Sequence, residues 1–107
     1  MTFNPAPKPV HRRRKPTRRE RGSFNKVTRD KIIDRDDGLC RVCKGLGTQH
    51  HHVMPKSRGG RGVFTNGLLV CQSCHADIHA HNDKLEHWQR QFEIAYGSDY
   101  YKDEWDD

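Results

Sequence analysis

Three histidines stand in a row at His50, His51 and His52, with a proline close behind at Pro55. Neutral imidazoles do two kinds of chemistry, as metal ligands and as proton acceptors near neutral pH. Two more histidines, His75 and His79, are four residues apart, the spacing that puts both rings on one face of a helix. Such a pair is a common metal clamp, though a weak signal when alone. Four cysteines form two C-x-x-C pairs, Cys40/Cys43 and Cys71/Cys74. Four thiolates from two such knuckles satisfy a tetrahedral zinc with no open position, so that site is structural. The 27 residues between Cys43 and Cys71 exceed ordinary ribbon spacing. They suit a strand, a loop and a second strand pinned at both ends by the knuckles.

The elements that must position these groups can be read from pattern and punctuation. Thr28 to Asp37 predicts a short helix, with Thr28 as cap, Val27, Ile32 and Ile33 as its apolar side, and Gly38 as its stop. Thr48–Val53 and Gly67–Val70 predict two short strands. The sequence from Lys56 to Gly62 is a loop by composition. From His75 onward the pattern is helical, and Leu85, Trp88, Phe92 and Tyr96 form one apolar stripe suited to a core.

Size and charge bound the rest. At 107 residues, 32% hydrophobic and 32% charged, the chain is one domain whose core alone would be marginal, so a metal staple is expected. No apolar run is long enough for a signal core or a membrane span, and reduced, zinc-bound cysteines in a cytoplasmic setting follow. Residues 1–26 hold nine Lys/Arg against Glu20 alone, whereas residues 97–107 hold Lys102 against five acidic side chains. Residues 1–22, with four of the five prolines, read as a disordered basic arm. Residues 23–96 read as the folded domain and 97–107 as an acidic, aromatic tail. The arm cations Arg12, Arg13, Arg14, Lys15, Arg18 and Arg19 suit a polyanion such as DNA. Lys56, Arg58 and Arg61 either clamp backbone phosphate or form a solvated polar loop. Tyr100, Tyr101 and Trp105 either cover the core or meet a protein partner.

His51-His52-Val53-x-Pro55, Gly59-Gly60, Asn66, Cys71-x-x-Cys74-His75 and x-x-x-His79, preceded by Arg35-Asp36-x-Gly38-x-Cys40-x-x-Cys43, together resemble the HNH endonuclease family, in its small, zinc-knuckle, phage-type form. The resemblance implies an α+β, ββα-metal (His-Me finger) domain, here stapled by structural zinc, that hydrolyses DNA phosphodiesters with one catalytic divalent cation (Mg²⁺, Mn²⁺, Ni²⁺ or Zn²⁺). It implies His52 as general base, and Asn66 as the residue that braces the loop and orients the base. His51 and His75 are implied as ligands to the catalytic metal. His79 is a ligand in some branches and a bystander in others. Gly67 departs from the commoner Leu. Neighbouring strand residues point to opposite sides, so His51 and His52 can serve metal and proton separately. His50 is then spare, exposed or packed against a knuckle. Phage relatives of this size also suggest genome processing, with a packaging protein as a further candidate partner. Two rival readings are a non-catalytic zinc-stapled DNA-binding module and an accessory protein of a larger nuclease or packaging machine.

Overall fold

The computed structural model describes residues 14–106. In chain order the main elements are α1 (Arg18–Gly22), α2 (Lys26–Arg35), β1 (Gln49–His52), β2 (Gly67–Val70), α3 (Gln72–Ala80) and α4 (Asn82–Tyr96). Single 3₁₀ turns lie at Lys56–Arg58 and Phe64–Asn66 in the long connection between the strands. The architecture is the expected small α+β domain with a four-cysteine cluster.

The two strands are antiparallel, with His50 opposite Leu69, His51 opposite Leu68 and His52 opposite Gly67. β2 is buried along its whole length, and its alternating side chains feed two separate cores. Leu68 and Val70 point into the larger one, with Cys40, Val53, Ile78, Leu85, Phe92 and Tyr100. Leu69 points the other way, into a smaller cluster with Phe24 and Ile32 of the α2 segment. Gly67 is explained by that second face. A Cβ there would lie 2.2 Å from Ile32 Cδ1, so the bulkier residue commoner at this position does not fit unless Ile32 moves.

The buried Asp36 carboxylate links the segments. It accepts two hydrogen bonds from Arg35, one from Arg41 and one from the Leu69 N–H. Burial raises its pKa, but these donors outweigh burial and hold it below the usual carboxylate range.

Several expectations need correction. The basic arm does not extend to residue 22. Thr17 accepts from the Glu20 N–H while Glu20 accepts from the Thr17 N–H, a reciprocal cap on α1, and Gly22 is buried. Apolar content alone missed this because the segment is anchored by charge, through Arg21 to Asp103 and Asp106. Arg12 and Arg13 lie outside the described residues. α2 starts before Thr28, because Asn25 supplies the cap by accepting from the Thr28 N–H. Only Ile32 of its apolar residues is buried, and Val27 and Ile33 are exposed. The expected single helix after the second knuckle is two. α3 starts at Gln72 on a Cys71 cap, and His81 leaves the helical region at φ −129°, ψ 107° before α4 begins. Of the α4 stripe, Leu85 and Phe92 are buried and Trp88 is partly so, while Tyr96 lies at the exposed rim. The tail folds back, with Tyr100 in the main core.

Candidate metal and catalytic site

The four cysteine sulfurs lie within 4.8 Å of one another. The Cys43 N–H points at Cys40 Sγ and the Cys74 N–H at Cys71 Sγ, the N–H···S geometry that favours thiolate. Cys71 is pulled down to about 6, first by the Ser73 hydroxyl and then by the Cys74 N–H. Cys74 is driven up to about 12 by desolvation and by the neighbouring sulfurs. Four sulfurs this close cannot all ionise without a cation among them, so the donor set fits a structural metal.

The strand alternation divides the histidine run. His51 points towards α3, where its ring lies 5.1 Å from that of His75 and 5.2 Å from that of His79, centroid to centroid. Donor nitrogens of the three rings all fall within 4.8 Å of one another. His51 is 1% exposed, yet neither of its ring nitrogens has a hydrogen-bond partner among the described residues. A buried polar ring without partners is costly, and convergent imidazole lone pairs are what a cation would satisfy. Burial first, then the other imidazoles, push its pKa down to about 3, so the ring is neutral at physiological pH.

His75 is oriented by a residue that motif reading passed over. Gln49, two positions before His51 on the same strand face, presents its side-chain oxygen 2.9 Å from His75 Nδ1. An amide oxygen only accepts, so Nδ1 carries the proton and Nε2 keeps its lone pair. That Nε2 lies 3.1 Å from His79 Nε2. The strand's period of two was the available sequence signal for Gln49.

His52 points to the opposite face. Its ring stacks on Phe24 with centroids 4.2 Å apart, and Nε2 lies 2.6 Å from the Gly22 carbonyl oxygen. A carbonyl cannot donate, so Nε2 bears the hydrogen and Nδ1 has the free lone pair. Nδ1 makes no hydrogen bond among the described residues. Burial lowers the His52 pKa and the Gly22 carbonyl partly opposes that shift. No sequence signal pairs Gly22 with His52. His50 shares this face. It packs beside Phe24 with Nε2 3.3 Å from the Arg29 carbonyl oxygen, rather than against a knuckle.

Asn66 is fully buried, and its side chain binds the start and end of the loop. Its oxygen accepts from the Met54 N–H at 2.7 Å, and its amide donates to the Met54 and Arg61 carbonyls at 3.2 and 3.0 Å. Its backbone carbonyl accepts from the Val53 N–H. The loop winds so tightly that a Cβ on Gly60 would sit 1.7 Å from the Met54 carbonyl oxygen.

Arg18, Arg19, Gly22, Lys56, Ser57, Gly60 and Arg61 line an open cleft of about 440 Å³ on the Gly22 side of the site. Arg18, Arg19 and Lys56 are exposed there, as are Arg14, Lys15 and Arg58 elsewhere on the surface. Arg61 does not match its expected role as a free phosphate ligand. Its guanidinium is paired with Asp106 and its side chain is only 15% exposed.

Residues 40–81 match the family model described as HNH endonuclease. No curated protein matches the chain. The matched segment runs from the first knuckle to the end of α3, and so contains both cysteine pairs, both strands and the three clustered histidines. It supports a nuclease-type function. Among the described residues, no helix is long and apolar enough to cross a membrane.

Proposed function

We propose that this chain, whose residues 40–81 carry the HNH endonuclease match, is a divalent-metal-dependent DNA endonuclease with His52 as its general base. The observation that carries the proposal is the division of labour on β1. His51 meets His75 and His79 on one face, and His52 holds a single defined tautomer on the other.

His52 accepts a proton at Nδ1 from the water that attacks phosphorus, and the Gly22 carbonyl stabilises the charge that then spreads to Nε2–H. The phosphorus–O3′ bond breaks as the new phosphorus–oxygen bond forms, and the departing O3′ takes a proton from solvent water, leaving a 5′-phosphate and a 3′-hydroxyl. A cation held by His51, His75 and His79 would supply charge stabilisation at the departing oxygen. The donor set is three imidazoles with no carboxylate, which ranks Ni²⁺ and Zn²⁺ above Mg²⁺ in affinity. Gln49 keeps His75 Nε2 available. Asn66 holds the turn after His52, so the base and the loop move as one piece. Arg18, Arg19 and Lys56 line the cleft beside Gly22 and would position the phosphate backbone, with Arg14, Lys15 and Arg58 as outer contacts. Genome processing or packaging, which the phage-type resemblance suggests, is the setting we propose for this activity.

The test is plasmid cleavage by purified protein with Mg²⁺, Mn²⁺, Ni²⁺ or Zn²⁺ in turn, against His52→Ala. Loss of the proton acceptor should cut turnover by about 10²–10⁴-fold and leave DNA and metal binding nearly intact. Wild-type turnover in His52→Ala, or no cleavage with any cation, would refute the assignment.

A further inference from the structure

The Gly22 carbonyl selects the His52 tautomer, yet it sits at the end of a five-residue helix that cannot persist by its own hydrogen bonds. What holds it there is remote in sequence. Arg21 Nε and Nη2 bind both Asp103 oxygens, at 2.9 and 2.8 Å, and Nη2 also reaches Asp106 at 2.8 Å. Arg61 closes the network on Asp106 from the loop side, at 3.1 and 2.9 Å. Backbone bonds run beside it: the Gly62 N–H donates to the Arg21 carbonyl at 2.8 Å and the Arg61 N–H to the Tyr101 carbonyl at 3.0 Å. The Asp103 and Trp105 N–H groups are capped by the Asp106 and Asp103 side chains. The side chains of Arg21 and Asp103 are only 9% and 13% exposed. Bidentate, shielded pairs of this kind fix geometry more firmly than exposed ones.

We propose that the C-terminal segment is a positioning element for the general base, with Asp103 gripping Arg21 so that the Gly22 carbonyl stays against His52 Nε2. Asp103 acts through Arg21, and among the described residues no hydrogen bond joins it to His51, His52, His75 or His79. Its neighbour Asp106 joins the same network through Arg21 and Arg61 and so serves the active site from behind. The inference rests on the nuclease reading for its kinetic consequence, and on the Arg21–Asp103 and Gly22–His52 contacts for its structural one.

The two obvious roles for an acidic tail predict opposite signs. A carboxylate that merely repels DNA lowers activity, so removing it raises cleavage. A carboxylate that positions the base raises activity, so Asp103→Ala should lower kcat by about tenfold or more, the scale of a misplaced catalytic group, with DNA affinity unchanged or slightly increased. Asp103→Glu should recover part of the loss. Arg21 also holds Asp106, so the double variant should lose no more than Arg21→Ala alone, which already breaks the Asp103 pair.

The second readout needs no cleavage. Long-range ¹H–¹⁵N correlation spectra of the zinc-loaded protein report which His52 nitrogen carries the proton. The wild type should be the Nε2–H tautomer, and Asp103→Ala should show a mixture. If Asp103→Ala does not fold, Asp103→Asn gives the same comparison. A raised kcat, an unchanged kcat, or a lowered kcat with the tautomer intact would each overturn the inference. Should the wild type fail to cleave DNA, the nuclease reading falls, and the tautomer comparison still decides whether the tail holds Gly22 in place.

Discussion

Removing the Asn66 side chain is the perturbation whose size can be worked out most directly. Asn66→Ala strips the partner from one buried N–H, that of Met54, and from two carbonyls, those of Met54 and Arg61. An orphaned buried donor costs about 1–3 kcal/mol, and a carbonyl that can relax towards water costs towards the low end of that range. The sum is about 3–5 kcal/mol, against a total stability of about 5–15 kcal/mol for a domain. Little of it should be recovered by repacking, because Gly60 is already pressed against the Met54 carbonyl. Asn66→Asp should be no milder. It keeps the acceptor for Met54 N–H but sets a carboxylate against two carbonyl oxygens. Those surroundings raise the folded-state pKa of the new acid above its unfolded value, so Asp should be least damaging at low pH and worsen as pH rises through the folded value. Urea unfolding of zinc-loaded protein, followed by circular dichroism, measures the loss. The same variants should also lose cleavage at temperatures where they remain folded, since Met54 follows His52 by two residues. A loss below about 1 kcal/mol for Asn66→Ala would refute the brace.

Three further outcomes are expected. Cys40→Ser or Cys71→Ser should leave the domain largely unfolded, because the energy of holding the metal is largely folding energy; a folded, active, zinc-free protein would contradict this. Without added divalent cation, the depressed His51 pKa of about 3 means the unfolded chain binds the proton first. Its contribution to stability is then full above about pH 6.5 and declines as pH falls towards 3, and His51→Asn should flatten that decline by about one proton, roughly 1.4 kcal/mol per pH unit. Deleting residues 1–16, which stops short of the Thr17 cap, should flatten the log-affinity versus log-salt slope for DNA by about 0.9 per lost phosphate contact. Fluorescence anisotropy across a salt series reads that slope, and an unchanged value would assign the arm another task.

Spacing carried much of this protein. Two C-x-x-C pairs, a His-x-x-x-His on a helix and adjacent histidines on a strand are short-range patterns. Local periodicity therefore determined that Cys40, Cys43, Cys71 and Cys74 could share one centre, that His75 and His79 share a face, and that His51 and His52 oppose one another. Tertiary structure alone decided what those faces meet. Gly67 is small because Ile32 of another element occupies the space its side chain would need. Arg61, a loop cation by composition, is neutralised by Asp106, 45 residues away. The tautomer of His52 depends on a carbonyl at Gly22, 30 residues before it, and that carbonyl is held through Arg21 by Asp103, 82 residues further along the chain. Periodicity reports which way a side chain points within its own element. It carries no record of a backbone oxygen or a carboxylate brought alongside by long-range folding, and those contacts settle which nitrogen of His52 is free to take a proton.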